Sequence, residues 1–135
     1  MNYWLVKSEP FKWSWDQHVK KGVQGWDGVR NYQASNNMKA MKKGDLAFFY
    51  HSNEGKEIVG IVEVVKEYYP DPTDETGKFG MVDFKAKEAV KKPVTLETIK
   101  KTASLKDMAL LKQSRLSVSP VTAAEWKTIL KMSGA

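Results

Sequence analysis

Three polar side chains in a row, Lys7, Ser8 and Glu9, follow the first apolar run of the chain, and Pro10 ends the stretch. A hydroxyl between an amine and a carboxylate can exchange hydrogen bonds with a ligand, and it becomes a nucleophile when a base lies within reach. His51, between Tyr50 and Ser52, is the candidate base for either Ser8 or Ser52. No spacing joins these serines to the histidine, and two plainer readings stand beside the chemical one. Lys7 and Glu9 then form a solvated pair, and His51 is a strand-end imidazole bonded to backbone. The histidines, His18 and His51, have no HExxH spacing and no acidic ligand cluster; GVQGWDG fits no phosphate-cradling pattern, and no GxSxG elbow occurs. The chain has no cysteine, so thiolate chemistry and disulfides are excluded. Binding is a better expectation than catalysis, and no metal or cofactor is expected.

The second constellation is WDGVRNYQASNN, residues 26 to 37. Trp26 stands between Gly25 and Asp27-Gly28, outside any periodic apolar stripe, and therefore reads as an aromatic platform for a ligand whose truncation spares the fold. Arg30 and Arg115 are the only arginines among 22 basic residues, in the motif-like stretches VRNYQ and SRLSV. A guanidinium offers a planar fork to phosphates or base edges, whereas lysine is a point charge. A structural ion pair is the alternative for each arginine. The net charge of +6 suits a polyanionic partner.

These groups need a framework, and 135 residues supply one domain, 1–135, of ordinary globular composition, 41% hydrophobic and 28% charged. NYWLVK reads as a first strand that SEP ends. Ser14 with Gln17 forms a capping box for a helix that stops near Gly22, with Trp15 and Val19 sharing a face. A second helix is expected from Asn31 to Met41. DLAFFYH (45–51) and EIVGIVEVVKEYY (57–69) read as antiparallel strands joined by SNEGK, with Gly60 marking a bend. PDPTDETGK is a loop and MVDFKAKEAV another strand. Short helices are expected near Thr95 to Lys101 and Leu105 to Lys112, followed by the strand RLSVSPV. TAAEWKTILKM closes the chain as a helix capped by Thr122 and Glu125, with Trp126, Ile129 and Leu130 as its apolar stripe. The sum is an α+β fold, a curled, mostly antiparallel sheet of about five or six strands with surrounding short helices. Neither a secretory leader nor a membrane span is evident, which leads to the expectation of a cytoplasmic protein that does not engage a membrane.

Six stretches in order, YWLVKSEP, WDGVRNYQASNN, GDLAFFYHS, IVGIVEVVKEYYPDPT, MVDFKAKEAVKKPVTL and RLSVSPVTAAEW, closely resemble the EVE-domain family from about Tyr3 to Leu130. The resemblance implies a PUA-like fold, a small curled β-barrel related to YTH domains. It also implies a non-catalytic reader of nucleic acid, DNA or RNA, that takes a modified base, such as a modified cytosine, into an aromatic-lined pocket. Carried over by position, the pocket draws on Lys7, Ser8, Glu9, Pro10, Trp26, Val29, Arg30, Asn31 and Tyr32, together with Tyr50, His51, Ser52, Arg115, Leu116 and Ser117. This chain departs from the family pattern at Ser35, where arginine is common, and in DETGKFG, a shorter and less aromatic loop. Two rival readings are a hydrolase of modified nucleosides like those of the ASCH group, using Lys7, Ser8 and Glu9, and a protein-interaction module anchored by Trp26.

Overall fold

Apolar residues on both faces of its strands oblige the sheet of this protein to be covered on both sides. Trp4 and Val6 point one way along the first strand and Leu5 the other; Ala47 and Phe49 oppose Phe48 and Tyr50 along the third. The computed structural model describes residues 1–134. The strands are β1 (Tyr3–Ser8), β2 (Val23–Gly25), β3 (Leu46–His51), β4 (Glu57–Pro70), β5 (Gly80–Thr95) and β6 (Val118–Val121). The helices are α1 (Trp15–Lys21), α2 (Tyr32–Ala40), α3 (Leu96–Lys101), α4 (Ala109–Lys112) and α5 (Ala123–Met132). Helices α1 and α2 contribute Trp15, Ala34 and Met38 to the core on one face. On the other, α3, α4 and α5 bring Ile99, Leu110, Trp126 and Ile129 against Leu5, Phe48 and Ile58. Each fully buried side chain of this size is worth about 1.5–3 kcal/mol of transfer free energy.

The six strands form one sheet in the order β2-β5-β4-β3-β1-β6. All neighbours are antiparallel except β1 and β3, which run parallel with Ser8 opposite His51. A parallel pair needs a crossover, and α1, β2 and α2 provide it. Its consequence is that the C-terminal ends of β1 and β3 open at the same end of the sheet. The barrel implied by the family resemblance is not closed here, since β2 and β6 are the two edges. Register shifts along β4 and β5, at Ile58/Gly60, Ile61/Val62 and beyond, bend the long hairpin instead.

Gly60 does mark such a shift, for a steric reason. A Cβ there would lie 2.5 Å from Cη2 and Cζ2 of Trp15, so the indole rests directly on the β4 backbone. Gly60→Ala is accordingly expected to cost about 1–3 kcal/mol or more through overpacking, read as a lower urea midpoint. An unchanged midpoint would show that Trp15 is free to move away.

The capping boxes at Ser14 and Thr122 both form, and Asn31 caps α2 by accepting the Ala34 N–H at 2.9 Å. Three local expectations need correction. Val19 is 51% exposed, and Trp15 shares its buried face with His18 instead. The helix expected from Leu105 to Lys112 is broken into a 3₁₀ turn at Ala103–Leu105 and the four-residue α4. The three residues of β2 lie where no element was expected.

Candidate functional site

The end of β1 turns back on itself. The Glu9 carbonyl accepts the N–H groups of Lys12 and Trp13, each at 2.9 Å, and the Ser8 hydroxyl donates to the Trp13 carbonyl. That turn swings Trp13 toward β2. Trp26 N–H continues the β2 pairing to the Val82 carbonyl at 2.8 Å, which fixes Trp26 on the opposite wall. Between them opens a cavity of about 350 Å³ lined by Lys7, Ser8, Glu9, Lys12, Trp13, Gln24, Gly25, Trp26 and Asp27. Gly25 lies close to the end of the Met81 side chain, which a Cβ would meet at 2.9 Å and which would have to shift to admit it.

Behind the cavity the two tryptophans are braced by one residue. His18 is fully buried; its Nδ1 accepts from Trp13 Nε1 at 3.1 Å, and its Nε2 lies 2.9 Å from the Phe84 carbonyl. An indole nitrogen only donates, so Nδ1 must be the acceptor and Nε2 carries the proton that is given to Phe84. His18 is therefore the neutral Nε2–H tautomer. Its pKa is lowered by burial, opposed by the bond to Phe84 and assisted by the charge of Lys21. Its ring centroid lies 6.1 Å from that of Trp26.

Trp26 is not the detached platform that its glycine neighbours imply. Only 8% exposed, it packs edge-on against Phe49 and Phe84 with centroids 5.5 Å away, so it is core and cavity wall at once. The loop after it is pinned by Asp71, whose Oδ2 accepts from Gly28 N–H at 2.9 Å and from Arg30 Nη1 at 3.1 Å, while Oδ1 takes both groups of Thr73 at 2.7 Å. Burial pushes the Asp71 carboxyl up, but the bonds from Thr73, Gly28 and Arg30 win and hold it below the usual carboxylate range. Arg30 is thus a structural ion pair. Asp71→Ala should cost about 2–3 kcal/mol, the worth of hydrogen bonds to a buried charge, and loosen Trp26. A chemical denaturation midpoint equal to that of the parent would contradict this.

The cavity wall made by Lys7 and Glu9 is shared with a second hollow of about 490 Å³, which Tyr50, Ser52, Asn53, Lys56, Arg115 and Ser117 also line. A third, of about 340 Å³, adjoins it at Ser114 and Arg115 and includes Asn31 and Leu116. Lys7 Nζ donates to the Ser114 carbonyl at 2.7 Å, and burial lowers its pKa. Glu9 is engaged on both oxygens, by Asn53 Nδ2 at 3.0 Å and Lys12 Nζ at 3.3 Å.

Of the residues expected at the site, Lys7, Ser8, Glu9 and Trp26 meet in the first cavity. Tyr50, Ser52, Arg115 and Ser117 lie next door. Val29 and Leu116 are core residues, and Tyr32 is 62% exposed with its ring 5.0 Å from that of Phe79. Pro10 lines none of the three hollows. His51 faces inward, where its Nε2 accepts the Trp15 N–H at 3.0 Å, so the strand-end reading of this histidine holds. Trp13, Lys12, Gln24, Gly25 and Asp27 are the lining residues that the sequence reading passed over. The aromatic density of FKWSW just before the Ser14 cap was the available signal for Trp13.

An open six-stranded α+β sheet carries a two-tryptophan cavity near the shared end of β1 and β3, and the comparisons identify the family that shares this architecture. The chain belongs to the EVE domain family, whose model matches residues 2–132. It is 61% identical to a Rhodopseudomonas palustris protein solved by NMR, at a TM-score of 0.94, with 99% of this chain and 94% of that one covered. Rat thymocyte nuclear protein 1 is 38% identical over 168 residues, covering 99% of this chain and 74% of the relative. The human THYN1 protein, solved in complex with 5-methylcytosine-containing DNA, is 34% identical at a TM-score of 0.94, covering 100% and 99%. The fold alone extends to a YTH domain of Zygosaccharomyces rouxii, 18% identical at a TM-score of 0.60 over 98% of this chain and 86% of that one. Among the described residues no helix is long and apolar enough to cross a membrane.

Proposed function

We propose that this protein is a non-catalytic reader of nucleic acid that takes a single modified base, of the modified-cytosine class, into the cavity between Trp13 and Trp26. The observation that carries the proposal is the convergence, from separate segments, of two indoles with Ser8, Gln24 and Asp27 in one cavity. At about 350 Å³ it lies at the small end of ligand pockets, which run from about 300 to 1,000 Å³, and suits one base better than two. The human THYN1 complex with 5-methylcytosine-containing DNA supports the same ligand class for a relative of matching fold.

The energetics require every part of the cavity. Stacking on an aromatic side chain gives about 1–3 kcal/mol per base, and extruding the base costs a few kcal/mol, so stacking alone roughly breaks even. The surplus must come from polar contacts to the base edge and from phosphate contacts. A methyl group adds only about 0.8 kcal/mol by burial, a factor of about 4, so discrimination depends on shape and hydrogen bonds around it. Lys7, Lys12 and Arg115 make affinity salt-dependent; three phosphate contacts to a single strand give a log–log slope of about −2. The deciding experiment is a titration of short oligonucleotides that differ only in one modified cytosine. Equal affinity for modified and unmodified strands, or binding insensitive to salt, would overturn the reading.

One observation favours the hydrolase alternative, the lowered pKa of Lys7 at the cavity wall. Against it, the groups a hydrolase would use are committed elsewhere: Ser8 donates to a carbonyl, Glu9 is paired twice and His51 holds the Trp15 N–H. Incubation with modified nucleosides separates the two readings, since a reader leaves their masses unchanged. A cytoplasmic setting is supported by the cysteine-free composition.

A further inference from the structure

Tyr50 poses a problem that the base cavity does not solve. Its ring belongs to the core beneath α3, α4 and α5 and only 3% of the residue is exposed, yet it lines the hollow beyond the Lys7–Glu9 wall. The hydroxyls of Tyr68 and Tyr69 are bonded to Ser35 and Asp83. That of Tyr50 has no partner among the described residues. The hydroxyl is not sealed from solvent, so it opens into the hollow and can donate to a ligand there.

The same hollow carries an excess of cations. Lys7, Lys56 and Arg115 line it, and none of the three has a carboxylate within ion-pair distance among the described residues. Glu9, the one acid on its wall, is already paired with Lys12 and accepts a hydrogen bond from Asn53. Asn53 and Lys56 hold left-handed backbone in the β3–β4 turn, φ 65° and 48°, a conformation that asparagine tolerates and lysine adopts at a cost. The Lys56 carbonyl accepts the Leu96 N–H at 2.8 Å, which ties this loop to the start of α3.

We propose that this hollow is a phosphate subsite, which receives the phosphodiester next to the nucleotide whose base enters the cavity, with the Tyr50 hydroxyl, Lys7, Lys56 and Arg115 as its donors. The proposal rests on the reading of the first cavity as the base site. It specifies a polymer, or a nucleotide, over a free nucleoside as the preferred ligand. Lys7, common to both walls, sets the spacing between base and phosphate, and Arg115 leads onward to the third hollow.

Four ligands test it by calorimetric titration: 5-methyldeoxycytidine, its 3′-monophosphate, its 5′-monophosphate and its 3′,5′-bisphosphate. A phosphate on one side of the sugar should tighten binding by about tenfold or more, because hydrogen bonds to a charged acceptor are the strong ones. In Tyr50→Phe and in Arg115→Ala, the ratio of bisphosphate to nucleoside affinity should fall severalfold. Equal affinity for all four ligands, or an undiminished ratio in the double variant, overturns the subsite and leaves the base cavity standing. If none of the four ligands binds, the base reading fails and pyrophosphate becomes the probe. Chemical-shift changes at Tyr50 and at the Arg115 Nε–H on adding pyrophosphate then support an anion site, and their absence overturns it.

Discussion

Trp26→Ala is expected to melt as early as Trp126→Ala, each losing roughly 3–5 kcal/mol. For a chain of this length that lowers Tm by on the order of 10–20 °C. Trp126 is 3% exposed and stacks on Phe48 at 3.8 Å between centroids; Trp26 is comparably enclosed by Phe49, Phe84 and His18. Trp26→Ala would therefore lose binding through destabilisation as well as through lost stacking, and cannot tell the two apart. Trp13 separates the two effects. It is half-buried and packs against the edge of the core, so Trp13→Ala should retain more stability than Trp26→Ala while losing a stacking surface worth about 1–3 kcal/mol, or 5- to 150-fold in affinity. Thermal melts and modified-oligonucleotide titrations on the three variants decide it. Should Trp26→Ala melt like the parent, its indole is a platform after all and its edge-on contacts contribute little.

What was legible in the sequence was whatever is written in local chemistry. Ser14 with Gln17 and Thr122 with Glu125 announce helix starts because a cap needs only residues three apart. The hairpin of β3 and β4 was legible because alternation and a turn suffice. The core role of Trp26 is another matter. It depends on Phe49 and Phe84, brought in by the sheet order, and no local period reports such neighbours. β2 has three residues, too few to carry any period, yet it forms one wall of the cavity. Arg30 was suspected equally of binding and of pairing; the outcome turned on Asp71, which is 41 residues away and invisible to a reading of VRNYQ. Of the residues carried over from the family resemblance, Lys7, Ser8, Glu9 and Trp26 come together in one cavity, because they stand at the ends of elements that converge there.

The buried His18 predicts how acid will act. The unfolded chain protonates this imidazole near pH 6.5, whereas the folded protein, with its pKa lowered by burial, does not. Below pH 6.5 the unfolded state therefore binds more protons, and stability must fall as pH falls, by up to about 1.4 kcal/mol per pH unit until the folded-state pKa is reached. Above pH 6.5 the contribution is constant. His51, its pKa also lowered by burial, pushes in the same direction, so the wild-type profile by itself does not assign the effect. The difference between wild type and His18→Gln does. Above pH 6.5 the variant should be less stable by about 2–5 kcal/mol, since Trp13 Nε1 and the Phe84 carbonyl lose their bridge inside a packed core. The gap should then narrow on acidification, because only the wild type carries this proton-linked penalty. Once protonated, Nδ1 would turn an N–H against the Trp13 N–H, so the cavity wall and affinity for modified strands should fail together with stability in acid. Parallel stability profiles for the two proteins between pH 5 and 8 would show that His18 is not held neutral, and would remove the link between this imidazole and the tryptophan it supports.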